Sequence, residues 1–183
     1  MKLYFVALVL PEALNEAILA YKTLMLQRWN CKVALKSPAH ITLIPPFWMA
    51  ESKEENLLHD LTSICKNISP FAVATQNFSA FRPRTIFIEP VLHADLKNLK
   101  ETMDSFCKTN PHYGAKADTR SFHPHITIAT RDLHKQAFAE AWSYFENKKF
   151  EVSFEATGLS TLRHNTKAWD VIHTALFNNP ANT

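Results

Sequence analysis

The sequence predicts an α+β fold in which helices alternate with the strands of a mixed sheet. Short apolar runs and longer stretches with apolar residues three or four positions apart succeed one another along the 183 residues. The neighbouring strands near 70–89 and those near 150–177 are expected to pair antiparallel, which excludes a doubly wound parallel sheet. No Pro-, Gly- or Ser-rich linker divides the chain. We therefore expect residues 1–183 to form a single domain, a length that also suits two similar halves.

The first half is predicted to contain a strand over 2–9, a helix over 12–28, a strand over 39–44 and a helix over 52–66. The N-terminal apolar run is short and ends at Pro11, which indicates a buried strand leading into a helix rather than a secretion signal. We expect Pro45 and Pro46 to end the second strand. Ser52, with Glu55 three residues later, is typical of a capping box at the start of a helix.

The second half is predicted to contain strands near 70–79 and 84–89, a helix over 94–108, a loop over 110–122, a strand over 124–129, a helix over 132–147 and two long strands over 150–162 and 168–177. Apolar residues at helical spacing support the first helix, and the second is expected to begin at Asp132. Val152, Phe154 and Ala156 alternate with polar residues, as in a strand with one buried face.

The composition excludes several kinds of site. Only two glycines occur, Gly114 and Gly158, whereas a P-loop or a dinucleotide-binding GxGxxG turn needs several clustered glycines. The three cysteines, Cys31, Cys65 and Cys107, are an odd number without CxxC spacing. This pattern argues against a disulfide framework and against a cysteine-ligated zinc site. The chemistry must therefore come from other side chains.

The charge of the chain limits its partners. Lys and Arg total 20 and Asp and Glu total 17, and the net charge of +3 is spread over both halves. Without a basic arm, binding of long duplex nucleic acid is not expected, but a small phosphate-bearing ligand needs only one or two cations. No apolar run reaches the roughly 18–20 residues that a membrane span requires. We therefore expect a cytoplasmic protein with no membrane partner.

A short internal repeat is the most informative feature of the sequence. Residues 40–43 and 125–128 both read His-Ile-Thr followed by an aliphatic residue, and each copy lies in a predicted strand. Side chains two positions apart share one face of a strand. His40 and Thr42 are therefore expected on one face, and His125 and Thr127 on the corresponding face of their own strand. If a pseudo-twofold axis relates the strands, all four side chains meet at one cleft.

Two imidazoles and two hydroxyls suit phosphoryl chemistry. Imidazole titrates near neutral pH, so one ring can accept a proton from the attacking oxygen while the other donates a proton to the leaving oxygen. Threonine hydroxyls can donate hydrogen bonds to the non-bridging phosphate oxygens. Because the imidazoles supply both acid and base, no metal is needed.

At these residues the sequence resembles the two-histidine phosphoesterase superfamily, whose best-known branch is the 2′-5′ RNA ligase-like (RNA 2′,3′-cyclic phosphodiesterase) family. That family is defined by two His-x-Thr/Ser-x motifs, matched here at 40–43 and 125–128. The resemblance implies a bilobal, pseudo-twofold arrangement of two antiparallel or mixed sheets with helices outside and a central cleft. It also implies cofactor-free and metal-independent opening of a 2′,3′-cyclic phosphate on a nucleotide or RNA end, or hydrolysis of a related 2′-phosphodiester.

Further residues are candidates for substrate binding. His123 would share the cleft with His125 and could extend the phosphate site or orient the catalytic ring. Arginines beside turns could bind a phosphate through two parallel hydrogen bonds, and aromatic residues after the first motif could stack on a base. The candidates of these two classes are Arg82, Arg84, Arg163, Phe47 and Trp48.

Two alternatives stay open at the level of sequence. His40, His123 and His125 would also suit a three-histidine zinc hydrolase. The same cleft could belong to a non-catalytic module that binds nucleotides or RNA ends. On each interpretation the partner is a small phosphate-bearing molecule, and we expect the protein to be a monomer.

Overall fold

The computed structural model describes residues 1–178, and this part of the chain contains four helices and eight strands. The helices are α1 Glu12–Trp29, α2 Glu54–Cys65, α3 Ala94–Thr109 and α4 Lys135–Phe145. The strands are β1 Lys2–Val9, β2 His40–Met49, β3 Phe71–Phe81, β4 Thr85–Pro90, β5 Ile126–Ala129, β6 Ser153–Ala156, β7 Gly158–His164 and β8 Trp169–Leu176. Among these helices, none is both long and apolar enough to cross a membrane.

The strands form two four-stranded sheets, and every pairing in them is antiparallel. The first sheet has the order β2-β1-β7-β8, and the second has the order β5-β4-β3-β6. Strands β2 and β5, which carry or directly follow the two histidines of the repeat, are edge strands that contact each other. The predicted α+β fold of two antiparallel sheets with helices outside is confirmed, and the motifs lie where the two lobes meet.

Helices are exchanged between the two lobes. Helix α1 follows β1 of the first sheet but packs against β5 of the second sheet, and its Tyr21 meets Phe78 of β3 with ring centroids 5.1 Å apart. Helix α3 follows β4 of the second sheet but packs against β2 of the first. Helix α2 covers β7 and β8, and Phe145 of α4 packs on Phe78 at 4.9 Å. One hydrophobic core therefore contains residues of both sheets and all four helices.

The prediction that the second strand ends before Pro45 is wrong, because β2 continues to Met49. Tyr4 pairs with Phe47 and Val6 pairs with Ile44, so both prolines lie opposite the single residue Phe5 in a β-bulge. A bulge on an edge strand tolerates residues that cannot donate a ladder hydrogen bond. The prolines bend this strand without ending it.

Two predicted helix starts are also wrong. A 3₁₀ turn over Glu51–Lys53 precedes α2, so Ser52 lies inside that turn and does not cap the helix. Helix α4 begins at Lys135 rather than at Asp132. The Asp132 carboxylate instead accepts hydrogen bonds from the backbone N–H groups of Lys32 at 2.6 Å and Val33 at 2.9 Å. The Asp132 carboxylate thus binds a segment distant in sequence, and the residue does not begin the helix.

The predicted strand over 150–162 is two strands in different sheets. Strand β6 pairs with β3, β7 pairs with β1, and only Thr157 separates them. Both pieces are extended, so their alternating pattern does not reveal the change of partner. The first residue of β7 is Gly158, and the position favours glycine because a Cβ there would lie 2.8 Å from the carbonyl oxygen of Ala175. The strand predicted over 124–129 is likewise shorter and begins at Ile126.

Candidate active site

A cavity of about 350 Å³ lies between the lobes and is lined by one residue of each motif, His40 and Thr127. Its polar part includes Lys36, Thr130 and Arg131. The first sheet and the β7–β8 hairpin contribute the apolar residues Leu3, Phe5, Pro46 and Trp169, and the imidazole of His164 also lines the cavity. A cavity lined by both charged and aromatic side chains suits a ligand that joins an anionic group to a flat ring.

Both motif histidines are held by the same local hydrogen bond. Nδ1 of His40 lies 2.7 Å from the carbonyl oxygen of Pro38, and Nδ1 of His125 lies 2.9 Å from the carbonyl oxygen of His123. A carbonyl only accepts, so Nδ1 of each ring is the donor. The neutral ring then has an unprotonated Nε2, which is the form that a general base requires.

A phenylalanine of the neighbouring strand supports each ring. Phe5 on β1 lies with its centroid 4.8 Å from that of His40, and Phe87 on β4 lies 5.6 Å from that of His125. Strands β1 and β4 occupy equivalent positions beside β2 and β5. Both phenylalanines are buried. The two halves of the site are therefore built alike, although their sequences agree only in the motifs.

Burial affects the titration of both histidines. Burial lowers the pKa of His40 to about 4, the positive charges of Lys22 and His125 act in the same direction, and the Pro38 carbonyl opposes them. Burial also lowers the pKa of His125, with smaller contributions from the charges of His123 and Arg120. His125 lies close enough to His40 for its charge to contribute to the lowered pKa of His40. Both shifts favour the neutral form of the ring at pH 7 in the free protein.

The two threonines lie on the same faces as their histidines. Thr42 pairs with Ala7 on β1, and Thr127 pairs with Phe87 on β4. Both threonines are half-buried, and the isoleucines between the motif residues are fully buried on the opposite face. The structure brings His40 and Thr127 to the wall of the cavity. Thr42 lies on β2 and His125 directly precedes β5, and both lie outside the residues that line the cavity.

The two aromatic candidates after the first motif separate by face. Trp48 pairs with the cavity-lining Leu3 and is 60% exposed, which places it on the rim of the cavity. Phe47 points the other way: it is buried in the core and its ring stacks on Tyr4 at 6.0 Å. The expectation for Phe47 is corrected, because a strand presents consecutive side chains to opposite faces.

The three arginine candidates lie away from the cavity. Arg82 sits over the rings of Trp142 and Phe138 on α4, at 5.5 and 5.8 Å, and Arg84 is exposed in the β3–β4 turn. Arg163 donates from Nη1 to Glu54 at 2.8 Å, on the side of the sheet that α2 covers. The expectation that Arg163 faces the substrate is therefore corrected.

His123 has a partner of its own. Its Nε2 lies 3.1 Å from the Glu89 carboxylate, and its ring meets Phe81 edge-on at 5.0 Å. A three-histidine zinc site would need His40, His123 and His125 to converge. Within residues 1–178 no group of three or more His, Cys, Asp or Glu side chains is arranged to hold a metal ion. The geometry instead joins His123 to His125 through its backbone carbonyl.

Sequence reasoning missed several cavity residues. Lys36 lies four positions before His40, and Arg131 lies four positions after Thr127, so a search for cations flanking the repeat finds both. His164 and Trp169 have no such local signal, because the pairing of β1 with β7 brings them to the site. Phe5 is missed for the same reason.

The comparisons with known proteins agree with this architecture. Residues 10–168 match the family model of the 2′-5′ RNA ligase superfamily. A Bacillus licheniformis protein, named a phosphoesterase by inference, is 28% identical over 97 residues, which cover 51% of this chain and 53% of that protein. The chain thus matches about half the length of this curated relative.

Solved structures resemble the whole chain. A Thermus thermophilus protein has a TM-score of 0.67 at 16% identity, covering 98% of this chain and 100% of that one. Escherichia coli LigT complexed with 3′-AMP has the same TM-score and identity, with coverages of 97% and 99%. At this level of identity the likeness shows a common fold.

Proposed function

Because this chain belongs to the 2′-5′ RNA ligase superfamily, we propose that it is a metal-independent phosphodiesterase that opens the 2′,3′-cyclic phosphate of a nucleotide or RNA end. The observation that carries the proposal is the matched pair of histidines, each with Nδ1 bonded to a carbonyl and Nε2 free, at the contact between two lobes. Since one chain contributes both motifs, a monomer suffices.

The proposed reaction uses the two rings in opposite protonation states. The neutral ring accepts a proton at Nε2 from a water molecule, whose oxygen forms a bond to phosphorus. The protonated ring donates its Nε2 proton to the ribose oxygen as the bond from that oxygen to phosphorus breaks. The product is a phosphomonoester, and the pair ends with the proton on the other ring. Thr42 and Thr127 donate hydrogen bonds to the non-bridging oxygens, where negative charge is held.

The remaining cavity residues suit a nucleotide. Lys36 and Arg131 supply positive charge for the phosphate, and Trp169 with its neighbour Phe5, 4.6 Å away, offers an aromatic wall for a base. The complex of Escherichia coli LigT with 3′-AMP supports a nucleotide as the ligand of this fold. Trp48 on the rim is placed to contact a second nucleotide of an RNA end.

The test compares His40→Ala and His125→Ala with the unchanged protein on a panel of nucleoside 2′,3′-cyclic phosphates, with and without a strong chelator. We expect each variant to lose on the order of 100-fold or more in kcat, with nucleotide binding largely kept and no effect of the chelator. His59→Ala, which removes an exposed histidine of α2, is the matched control.

Three results would contradict the proposal. Full turnover by either variant would remove the two-histidine mechanism. Saturable nucleotide binding without any product in the unchanged protein would indicate a binding module. Activity abolished by the chelator would indicate a metal-dependent hydrolase.

A further inference from the structure

The backbone segment before His40 is held from two sides. Nζ of Lys22 on α1 donates to the Ser37 carbonyl at 2.9 Å. Oδ1 of Asn15, also on α1, accepts from the backbone N–H of Ala39. The Ala39 carbonyl in turn accepts from the backbone N–H of Leu10 at 3.0 Å. The residues on both sides of Pro38 are thereby fixed, and their bonds lead to α1 or to the end of β1.

Pro38 is the residue whose position matters for the ring. Its carbonyl oxygen accepts from Nδ1 of His40 at 2.7 Å, and proline has no N–H of its own with which to anchor itself. The place of this carbonyl therefore depends on the bonds that its two neighbours make. A movement of Ser37 or Ala39 would shift this carbonyl and weaken the bond that keeps the proton of the neutral His40 ring on Nδ1.

Lys22 is an unusual residue for a purely structural contact. It is only 3% exposed, and within residues 1–178 no carboxylate lies within ion-pair distance of its Nζ. A buried ammonium without a counter-ion is costly, and an apolar side chain would fill the space at lower cost. Burial lowers the pKa of this amine to about 8, so it is largely charged at pH 7.

We propose that Asn15 and Lys22 of α1 are positioning residues for His40, which hold the Ser37–Ala39 segment so that the Pro38 carbonyl selects the ring form with a free Nε2. The second motif uses a different device, since Glu89 binds the His123 ring whose carbonyl holds His125. Helix α1 also packs against β5. A single helix thus sets the ring of one motif while it supports the strand of the other.

The positive charge of Lys22 can be tested separately from the hydrogen bonds that hold the Ser37–Ala39 segment. The charged groups around Lys22 are Glu12 and Glu16 of α1 and Lys36 beyond Ser37, which line an adjoining cavity with it. On the His40 side, the charges that act on the ring are those of Lys22 and His125. Removing the ammonium should therefore raise the pKa of His40, whereas removing the Asn15 amide should disturb the ring without removing a charge.

The experiment follows the ring directly. The variants are Lys22→Met, Lys22→Arg and Asn15→Ala, with Lys97→Met as a control that removes an exposed lysine of α3. Nitrogen-15 NMR of the imidazoles, without substrate, reports the tautomer and the pKa of His40, and His125 is the internal reference. We expect both Lys22→Met and Asn15→Ala to mix the tautomers of His40, and only Lys22→Met to raise its pKa by removing charge. Lys22→Arg should restore both.

The kinetic part rests on the proposed function. We expect Lys22→Met to lower kcat roughly 10-fold with KM changed by less than about 3-fold, because the ring is misplaced while the ligand contacts remain. The imidazole spectra need no turnover, so they test the positioning role even if cyclic phosphates are not substrates.

The inference is overturned if the His40 tautomer is unchanged in both Lys22→Met and Asn15→Ala. It is equally overturned if His125 changes as much as His40, because that result would indicate general loosening of the fold. If Lys22→Met does not fold, Asn15→Ala and Lys22→Arg decide alone: an unperturbed His40 tautomer in Asn15→Ala contradicts the role.

Discussion

Each motif histidine donates from Nδ1 to a backbone carbonyl, which leaves Nε2 for the proposed acid–base chemistry. The carbonyl belongs to the residue two positions earlier in both cases, Pro38 for His40 and His123 for His125. The bond itself spans only two positions of the chain and recurs in both motifs, whereas the residues that support each carbonyl are distant in sequence and differ between the motifs. The acid and base of the proposed reaction are thereby set in the same way on two separate sheets.

The lowered pKa values predict an acidic optimum for kcat/KM. The reactive free enzyme carries one proton on the pair, and that form is most populated between the two pKa values. Burial lowers the pKa of His40 to about 4 and lowers that of His125 from its ordinary 6.5. We expect kcat/KM to rise as the pH increases past about 4. With a further increase in pH it should fall again, and the midpoint of this descending limb should lie below pH 6.5. A pH–rate profile on a cyclic nucleotide measures this.

In His40→Gln the acidic limb of that profile should disappear together with most of the rate. A profile of the unchanged protein that is flat between about pH 5 and 8, or that peaks above about pH 7, would contradict the electrostatics described for the pair.

At the residue scale, the spacing predicts that each histidine of the repeat shares a strand face with its threonine, and the buried isoleucines between them fit this alternation. The rule is local, because it depends only on the period of two in a strand. The rule does not extend to Phe47, because the β-bulge at Pro45 and Pro46 lies between the motif and that residue. Phe5, His164 and Trp169 could not be assigned, because their approach to His40 depends on which strands pair.

At the scale of elements, the two faces of β7 separate function from support. Leu162 packs with Phe5 and Ala7 in a small cluster on the cavity side of the first sheet. Arg163 points to the other side, where it and the Tyr4 hydroxyl, at 2.8 and 2.9 Å, both bind the Glu54 carboxylate. Neighbouring residues of one strand therefore have unrelated roles.

A matched pair of arginine variants tests this division. Arg163→Met should lower the free energy of unfolding by about 1 kcal/mol, because Glu54 loses a partially exposed ion pair, and should leave kcat/KM nearly unchanged. Arg131→Met should raise KM roughly 10-fold through a lost contact with the phosphate, with the stability unchanged. Denaturant unfolding and steady-state kinetics on both variants give the comparison, and a large KM effect from Arg163→Met would refute it.

Element boundaries were less predictable than element order. The order of helices and strands followed from periodicity, but the bulge that carries Pro45 and Pro46 in β2 depends on the edge position of that strand. The sequence predicts that the fourth helix begins at Asp132, yet the carboxylate of this residue binds the backbone of Lys32 and Val33, about a hundred residues earlier in the chain. Such uses of a side chain are decided by the tertiary fold.

At the scale of the whole molecule, the exchange of α1 and α3 ties the lobes into one core. Periodicity shows which face of a helix is buried, but it does not show which sheet buries that face. The pattern of the sequence therefore predicts a mixed α+β fold, and the family resemblance implies two antiparallel or mixed sheets with outer helices. Neither predicts that two of these helices cross between the lobes. The division of the predicted strand 150–162 at Thr157 could not be predicted either, because periodicity does not show which strands pair.

The shared core predicts that the three free cysteines become reactive together. Cys31, Cys65 and Cys107 are buried and follow or belong to α1, α2 and α3, and burial raises the pKa of each thiol to about 11. In the native protein we expect negligible reaction with a thiol reagent. Across a denaturant titration all three should become labelled at the midpoint seen by circular dichroism. Labelling of one cysteine at a clearly lower denaturant concentration would show that the lobes unfold separately.

The crossing helices also bear on what happens if the polypeptide is severed. A cut at the exposed Ser69, between α2 and β3, would leave an N-terminal fragment that holds α1 without the β5 it covers, and a C-terminal fragment that holds α3 without β2. Each fragment would carry one histidine of the pair. Only mixing of the fragments would bury these apolar surfaces again and bring the two histidines together. Recovery of the proposed activity on mixing would therefore report assembly of the cleft.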